Sequence, residues 1–503
     1  MDLRKAFTPG ERVYFVGIKG TGMCALAELL HNSGVLVSGS DKSEVFYTDA
    51  ILKKLGIPYY EDFDSAHVDK NNPPVLIIHS AAYHAETNPE MAEAVKLGIP
   101  LCKYTDALGA YSAIFDSSGI AGVHGKTTTT ALAGCMIRGA GLPAKVLAGG
   151  AVSSFNGQST LSLGDKYFVA ETCEYRRHFL AFHPRRIILT SIEHDHQDFF
   201  PSYESIMNAF LDYCRLLPPG GELFYCADDA GACEAAALME RENRSLRIIP
   251  YGFASSGEAG IESYEVKNEC IVMKVRSFPE ELRIHVPGRH TACNAAAALA
   301  LTSSLVKNED AGRGASKSGG WTACRRKGVV EALEGFRGAR RRAEIIGEAG
   351  GILFMDDYGH HPTAIKKTLA GLKEFYPSRR IILSFMSHTY TRTAALLDEF
   401  AASFMDADYV LLHKIYASAR EAYSGGVTGL TLFNKAKEIF GDKVFYVEEP
   451  CDAADLAIEL LKSGDLFITM GAGDNWKLGR RLICLMNEHI CLLNKQTKGI
   501  QKQ

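Results

Sequence analysis

Short apolar runs alternate with stretches of helical periodicity along most of the chain. The first run covers residues 13–16, and after a glycine-rich turn the spacing of apolar residues predicts a helix over 23–33. Further apolar runs cover 75–78, 167–170, 187–190, 352–355, 381–384, 409–412 and 466–469. Strands that alternate with helices in this way are typical of parallel, doubly wound sheets. The pattern therefore predicts an α/β protein.

The length of the chain favours three domains. At 503 residues it exceeds what one hydrophobic core supports, given about 150 residues per domain. We expect an N-terminal Rossmann-like domain over 1–107 and a central domain of the P-loop ATPase type, with a mostly parallel sheet, over 108–306. A segment dense in Gly, Ser, Lys and Arg predicts a polar linker or insertion over 307–328. A C-terminal Rossmann-like domain is expected over 329–503.

Composition narrows the setting in which the protein works. A net charge of −4 gives no reason to expect nucleic acid or an anionic membrane as a partner. The 13 cysteines are scattered without a paired framework, which fits a reducing compartment. The N-terminus lacks the apolar stretch of a signal peptide, and no apolar run approaches the roughly 20 residues of a membrane helix. We therefore expect a cytoplasmic protein.

The sharpest chemical signal is a phosphate-binding loop at the start of the second domain. It reads Gly122-Val-His124-Gly125-Lys126-Thr127-Thr128 and follows an apolar strand. Backbone N–H groups at such a turn, together with the following helix dipole, bind phosphate, while the Lys and a hydroxyl reach the β/γ oxygens and Mg²⁺. The strict P-loop pattern requires Gly where Ile120 stands, so this is a shortened form.

Other polar blocks follow predicted strands. Two of them, 171–174 and 190–196, carry carboxylates and histidines at strand ends, where divalent metal is bound around phosphates. Near the N-terminus, Gly17-x-x-Gly20-x-Gly22 follows a strand and Asp41 ends the next one, which resembles a dinucleotide fingerprint. By itself this pattern also fits an NAD(P)-binding oxidoreductase, although it lacks the strict Gly-x-Gly-x-x-Gly order.

Together these blocks resemble the Mur ligases, and the matches fall in the family's order along nearly the whole chain. They are Gly-Val-His-Gly-Lys-Thr-Thr-Thr at 122–129, Glu-Thr-Cys-Glu-Tyr-Arg-Arg-His-Phe-Leu at 171–180, Gly-Arg-His-Thr-Ala-Cys-Asn at 288–294, Asp-Asp-Tyr-Gly-His-His-Pro-Thr at 356–363 and His-Thr-Tyr-Thr-Arg-Thr at 388–393. The resemblance implies an ATP- and Mg²⁺-dependent ligase that joins L-alanine to the carboxylate of UDP-N-acetylmuramate in peptidoglycan precursor synthesis. A monomer or homodimer is expected.

The resemblance also assigns roles to individual residues. It places Lys126, Glu171, His196 and Arg342 in catalysis, and Thr127, Glu171 and His196 on Mg²⁺. ATP is expected to contact Gly122, His124, Gly125, Lys126, Thr127, Thr128, His290, Asn294, Arg342 and Asp357. The UDP-sugar or amino-acid substrates are expected to contact Gly20, Thr21, Gly22, Asp41, Ser80, His360, His388 and Arg392.

Several positions depart from the family's pattern. They are Lys19, Val123, Ser191, Thr291, Ala364, Met386 and Ser387. The substitutions at Ser191, Thr291, Met386 and Ser387 leave open an inactive homologue that binds ligands without turnover. A closer alternative is the muropeptide-recycling ligase, which joins a tripeptide to UDP-N-acetylmuramate. The sequences of the motifs at 171–180 and 356–363 favour the enzyme that adds alanine.

The implied reaction passes through an acyl phosphate. The muramate carboxylate attacks the γ-phosphate of ATP, and the amine of alanine then displaces phosphate. Charge neutralisation and positioning carry phosphoryl transfer of this kind, so no covalent enzyme nucleophile is expected. Either His196 or His360 is a candidate for the general base that accepts the amine proton.

Overall fold

The computed structural model describes residues 3–242, 245–311, 320–417, 421 and 425–500. Its strands form three separate sheets, of five, ten and six strands, which follow one another along the chain. This confirms the predicted three-domain α/β class. Among the helices of the described part, none is both long and apolar enough to span a membrane.

The N-terminal sheet is parallel throughout, in the strand order β3-β2-β1-β4-β5. Its strands are β1 (Arg12–Val16), β2 (Leu36–Ser40), β3 (Tyr59–Tyr60), β4 (Leu76–His79) and β5 (Leu101–Lys103). Its helices are α1 (Thr21–Asn32), α2 (Thr48–Leu55), α3 (Pro89–Leu97) and α4 (Tyr104–Ser112). The order reverses at β1, so the turn after β1 lies at the switch point where doubly wound sheets bind ligands.

The central sheet has ten strands, in the order β15-β14-β13-β12-β11-β10-β6-β9-β7-β8. The strands are β6 (Asp116–Ala121), β7 (Ala144–Leu147), β8 (Thr160–Ser162), β9 (Tyr167–Glu171), β10 (Arg186–Leu189), β11 (Glu222–Cys226), β12 (Arg247–Gly252), β13 (Ala259–Val266), β14 (Ile271–Val275) and β15 (Phe278–Ile284). The helices are α5 (Lys126–Gly139), α6 (Tyr203–Cys214), α7 (Ala230–Arg241), α8 (Arg289–Ala311) and α9 (Ala323–Glu334). The strands from β12 to β7 in this order are parallel, and the antiparallel pairs lie at the two edges.

The C-terminal sheet runs in the order β16-β17-β21-β18-β19-β20 and is parallel except for β16. Its strands are β16 (Glu344–Ala349), β17 (Ile352–Asp357), β18 (Ile381–Met386), β19 (Tyr409–Leu412), β20 (Val444–Tyr446) and β21 (Leu466–Gly471). Its helices are α10 (Pro362–Phe375), α11 (Tyr390–Ala395), α12 (Leu397–Ala402), α13 (Gly429–Phe440), α14 (Ala454–Leu460) and α15 (Trp476–Ile500).

The structure places the element boundaries differently from the predicted domain limits. The limit at residue 107 falls inside α4, which continues through Gly109 to Ser112. In the segment predicted as a polar linker, α8 continues to Ala311 and α9 begins at Ala323, after Thr322 caps it by accepting from the Arg325 N–H. Residues 312–319 lie outside the described ranges. The polar composition of 307–328 therefore includes the end of α8 and the start of α9, and not a linker alone.

Helix α9 belongs to the packing of the central sheet although it lies near the start of the predicted third domain. It crosses α5 so closely that a Cβ on Gly139 would lie 2.3 Å from the Gly328 carbonyl oxygen. Only two glycines permit this approach of one helix backbone to another. The phosphate-loop helix is therefore covered by both α8 and α9, and its position is fixed from two sides.

Candidate active site

A cavity of 410 Å³ lies between the central and C-terminal domains. The loop before α5, the first turn of α8 and the face of α10 form its walls. Nine of the predicted site residues line it: His124, Gly125, Lys126, Thr128, Glu171, His290, Asn294, Arg342 and Asp357. Segments separated by more than 200 residues thus meet at one cavity, as the sequence motifs predict.

The phosphate loop adopts a conformation that requires its glycines. Gly122 has φ 137° and Gly125 has φ 85°, and a Cβ on Gly122 would lie 2.1 Å from the Thr190 hydroxyl. Gly125 occupies the N-cap of α5 without a side-chain cap, so the first N–H groups of the helix face the cavity. The Ser191 hydroxyl accepts from the His124 N–H at 2.9 Å. The substituted Ser191 therefore supports the loop.

Lys126 is held in place by carboxylate. Its Nζ donates to Glu174 Oε2 at 2.8 Å and to the carbonyl of Gly122. Burial alone would lower the pKa of Lys126, but the attraction of Glu174 outweighs it and raises that pKa above its usual value. Burial likewise opposes ionisation of Glu174, whereas Lys126 and His196 lower its pKa. Both groups are therefore charged at neutral pH.

Two pairs of possible metal ligands flank Lys126. The Thr127 hydroxyl donates to Glu171 Oε2 at 2.8 Å, and the Gly149 N–H donates to the same oxygen at 2.8 Å. His196 Nε2 lies 3.4 Å from Glu174 Oε1. The hydroxyl and carboxylate oxygens of the first pair are the hard ligands that Mg²⁺ prefers. His196 has a left-handed backbone angle, with φ 55°, and is directed to Glu174. The sequence motif contains Glu174, but no role was predicted for it.

The far end of the cavity is aromatic and apolar. The Arg289 guanidinium stacks over the Phe253 ring at 3.9 Å and lies 4.9 Å from the Tyr264 ring. Burial, together with the nearby Lys367 and His124, lowers the pKa of His290 to about 4, so its imidazole is neutral. The Thr291 hydroxyl donates to the Pro287 carbonyl at 2.7 Å and stays within its own helix turn. This end has the shape and polarity for a planar base.

The C-terminal domain supplies the opposite wall. Asp357 ends β17 and accepts from the N–H groups of Ala343 at 2.7 Å and Gly359 at 2.6 Å. Burial raises the pKa of Asp357, and the nearby Arg342 opposes that rise. The Arg342 guanidinium also lies 5.3 Å from the Tyr358 ring. Its neighbour Arg341 instead donates to Asp356 at 2.8 Å. Arg342 is thus the member of the arginine run that faces the cavity.

A buried ion pair joins the central and C-terminal domains beside the cavity. Arg392 donates from Nε at 2.9 Å and from Nη2 at 2.6 Å to Asp195 Oδ1, and from Nη1 at 2.9 Å to His388 Nδ1. The side chains of Asp195 and Arg392 are 5% and 4% exposed. Burial would raise the pKa of Asp195, but Arg392 and His196 hold it well below its usual range. His360 packs on the His388 ring at 5.2 Å.

A second polar contact crosses the same interface. Glu193 Oε2 accepts from the Thr363 hydroxyl at 2.7 Å and lies 3.6 Å from His124 Nε2 and 3.8 Å from His361 Nδ1. Burial opposes ionisation of Glu193, but His124 foremost lowers its pKa to about 2. His361 is buried, and burial together with His124 lowers its pKa to about 4. One carboxylate therefore ties the phosphate loop to the start of α10.

The remaining predicted substrate residues form a separate cavity of 650 Å³ at the N-terminal domain. Gly20, Thr21, Gly22 and Ser80 line it together with Lys103, Tyr104, Arg176 and Arg177. Asp41 lies behind this wall, where its Oδ2 accepts from the Lys19 N–H at 2.7 Å and braces the glycine-rich turn. Lys19 replaces a family glycine, and its ammonium group binds Asp49 at 3.1 Å and Glu61 at 3.0 Å.

Arg176 and Arg177 were not singled out from the sequence. Both have left-handed backbone angles, with φ 52° and 59°, and both are exposed. Strained backbone of this kind at a cavity is typical of a binding site. Their position within the motif at 171–180 was the feature of the sequence that could have indicated a binding role. A role for Glu193 and Asp195 was less clearly indicated by the sequence, because their partners Thr363 and Arg392 lie 170 and 197 residues further along the chain.

Three family models match the chain in order. Residues 12–115 match the Mur ligase family catalytic domain, residues 120–302 the Mur ligase middle domain and residues 341–473 the Mur ligase glutamate ligase domain. Together they span all three sheets.

Curated relatives and solved structures agree with these models. A UDP-N-acetylmuramate–L-alanine ligase of Treponema pallidum is 51% identical, with 96% of this chain and 98% of that protein covered. One from Borreliella afzelii is 37% identical, over 93% and 97%. The structure of UDP-N-acetylmuramate-alanine ligase from Thermotoga maritima has a TM-score of 0.72 at 24% identity, covering 95% and 99%. A murein peptide ligase structure from Psychrobacter arcticus has a TM-score of 0.63 at 23% identity, covering 95% and 99%.

Replacing Asp195 should open the interface. In Asp195→Asn, the Arg392 charge stays buried without its counter-charge, and breaking such a pair costs about 3–5 kcal/mol. We expect a larger radius of gyration in small-angle X-ray scattering and a turnover rate at least tenfold lower. Lys435→Met removes an exposed pair with Asp398 and should change neither quantity, since surface pairs contribute about 0–1 kcal/mol. An unchanged scattering profile for Asp195→Asn would contradict the assigned role.

Stability should fall as pH drops from 8 to 5. The unfolded chain protonates His361 near pH 6.5, whereas the folded one does so near pH 4, so the unfolded state takes up the proton first. The loss from this residue is about 1–2 kcal/mol at pH 5. His361→Asn keeps an N-cap acceptor for α10 and should flatten the dependence of the urea midpoint on pH. Exposed His183→Asn serves as the control and should leave the slope as it is.

Proposed function

The chain belongs to the Mur ligase family, and we propose that it joins L-alanine to the carboxylate of UDP-N-acetylmuramate in an ATP-driven reaction. The observation that carries this proposal is the cavity between two domains in which Lys126 and Glu171 face Arg342 and Asp357. The relatives at 51% and 37% identity are named for the same reaction.

The phosphoryl step follows from the charges around the loop. The muramate carboxylate attacks the γ-phosphorus, the bond from that phosphorus to the β-γ bridging oxygen breaks, and ADP leaves as the acyl phosphate forms. Lys126, the N–H groups at the start of α5 and Arg342 face this position and stabilise the negative charge of the transferring group. Because Arg342 comes from the other domain, this charge balance is complete only when the domains are closed.

The amide-forming step requires an acceptor for a proton. The amine of alanine attacks the acyl carbonyl, loses a proton and expels phosphate. The His360 Nδ1 donates to the Tyr358 carbonyl at 2.8 Å, which leaves Nε2 as the nitrogen that can accept a proton. Burial and the positive charge of Arg392 lower the pKa of His360 well below its usual value, so its imidazole is neutral. His196 is tied to Glu174 at 3.4 Å. This difference favours His360 as the general base, with His388 packed beside it. The Arg392 guanidinium is bonded to Asp195 and His388, so the contact with the amino acid that the motif predicts for Arg392 would have to pass through His388.

The oxygen ligands near Lys126 fit a magnesium ion. Thr127 and Glu171 would hold it, and the pair Glu174 and His196 lies on the other side of the lysine. Bound there, Mg²⁺ would neutralise charge on the β- and γ-phosphate oxygens.

The second cavity is the proposed site of the UDP-sugar. Thr21 and Gly22 form the first turn of α1, whose N–H groups suit a diphosphate, and Gly22 has no space for a side chain because Tyr104 lies 2.8 Å from its would-be Cβ. Lys103 and Arg176 add positive charge from two further elements. Since Arg176 belongs to the central domain, the sugar nucleotide would bridge it to the N-terminal domain.

Two features of the setting are proposed as well. Twelve described cysteines are free thiols, which supports a reducing compartment and hence the cytoplasm. We propose that the protein acts as a monomer or homodimer.

The muropeptide-recycling reaction is the alternative. It shares the phosphate loop and the muramate substrate but requires room for a tripeptide. The named relatives at 51% and 37% identity favour alanine, whereas the murein peptide ligase is a likeness of fold at 23% identity.

The assay that separates these reactions measures phosphate release from ATP with Mg²⁺ and UDP-N-acetylmuramate. We expect turnover with L-alanine and none with L-Ala-γ-D-Glu-diaminopimelate. Lys126→Ala should lower the rate by at least a hundredfold, since it removes the cation beside the transferring phosphoryl group. Turnover with the tripeptide alone would assign the protein to recycling, and no turnover with either would indicate a binding homologue.

Arg176 gives a test of the sugar-nucleotide site alone. Arg176→Met keeps the length of the side chain but removes a charged donor, which is worth about 1.5–3 kcal/mol. We expect KM for UDP-N-acetylmuramate to rise by about tenfold or more while KM for ATP is unchanged. Arg185→Met is the matched control, because Arg185 is exposed and lines neither cavity. Equal effects of both variants would argue against the site.

A further inference from the structure

Two thiols and a carboxylate meet at the proposed base-binding end of the cavity between the central and C-terminal domains. Cys226 ends β11, Asp228 follows in the connection to α7 and Cys293 lies in the first turns of α8. One ligand atom from each of the three lies within 4.8 Å of the other two. All three residues line the cavity. Nothing in the proposed ligase reaction uses them.

The spacing suits a single ion. A tetrahedral ion with sulfur at about 2.3 Å and oxygen at about 2.0 Å separates the two ligand atoms by about 3.5 Å. The measured distance from Cys293 Sγ to Asp228 Oδ2 is 3.7 Å. Coordination therefore requires a shift of only a few tenths of an ångström for this pair.

The carboxylate is already oriented by its surroundings. Asp228 Oδ2 accepts from the Phe253 N–H at 2.6 Å, and its Oδ1 accepts from the Ala254 N–H at 3.1 Å. Hydrogen bonds of this kind fix the ligands of metal sites. Cys226 and Cys293 are buried, at 7% and 9% exposure, whereas Asp228 is exposed. The fourth coordination position of an ion here would face the cavity.

We propose that Cys226, Asp228 and Cys293 form a binding site for one thiophilic divalent cation, of which Zn²⁺ is the representative, and that the bound ion blocks the base-binding end of the cavity. As each sulfur–metal bond forms, its thiol gives its proton to the buffer, so two protons leave per ion. The blocking effect rests on the proposed nucleotide site, whereas binding of the ion does not.

This site differs in chemistry from the proposed magnesium site. Thiolate selects Zn²⁺ and related ions over Mg²⁺, whereas the hydroxyl and carboxylate of Thr127 and Glu171 favour the hard ion. The two ions would therefore occupy the cavity at different ends. Excess Mg²⁺ should not displace the thiophilic ion.

Co²⁺ is the probe, because its absorption reports thiolate ligands and four-coordinate geometry. The full chain is titrated with Co²⁺ under excess Mg²⁺ and a phosphine reductant. We expect one equivalent of ion with a thiolate-to-cobalt band in the near ultraviolet, displaced by Zn²⁺. Cys226→Ser, Cys293→Ser and Asp228→Asn should each weaken Co²⁺ binding by at least about tenfold. Cobalt binding without the thiolate band, or equal affinity in all three variants, would overturn the proposal.

Cys233→Ser is the matched control. Its Sγ donates to the carbonyls of Cys226 and Ala227, so it lies next to the site without belonging to the three ligands. It should keep the cobalt band. Separately, ATP should compete with Co²⁺ for the protein in the presence of Mg²⁺. If the cobalt band forms but ATP does not compete, the ion site stands and the blocking of the nucleotide is wrong.

Discussion

The active site depends on one buried contact between opposite charges, Asp195 with Arg392. Neither residue belongs to the cavity wall, yet the pair lies where the central and C-terminal domains meet. Two charges with 5% and 4% exposure are stable only together, because each alone would lose its hydration without compensation. The pair therefore favours the arrangement of the two domains that brings these groups together.

The other parts of the site follow from that arrangement. With the domains in register, Thr363 meets Glu193, and Arg342 comes to face the phosphate loop. Glu193 also lies near His124, which is part of that loop. The phosphate loop and the C-terminal domain thus both contact the Glu193 carboxylate, so a displacement of either one would change the contacts of the other. The N-terminal domain shares a different cavity with the central domain, which contributes Arg176 to its wall.

The sequence predicted the parts of the site that lie within one contiguous motif, but it did not predict contacts between segments far apart in the chain. The turn around Gly122 and Gly125 was predictable because glycine spacing, lysine and hydroxyl act within one turn and helix start. Asp357 and His360 were predicted as site residues because both belong to the family motif at 356–363. Lys19 was different: its partners are Asp49, which is buried, and Glu61, which is exposed, and they come from separate segments. No local pattern indicates that this lysine binds the two carboxylates instead of a phosphate.

The distribution of hard and soft ligands gives the cavity two chemical ends. Oxygen ligands and Lys126 surround the start of α5, where phosphate charge accumulates, whereas sulfur and aromatic rings surround the start of α8. A nucleotide with a charged chain and a flat base would match this division, with its phosphates at the start of α5 and its base at the start of α8. The same division means that two cations of different softness would not compete for one position. The type of ligand atom at each of the two proposed ion sites would therefore favour a different cation.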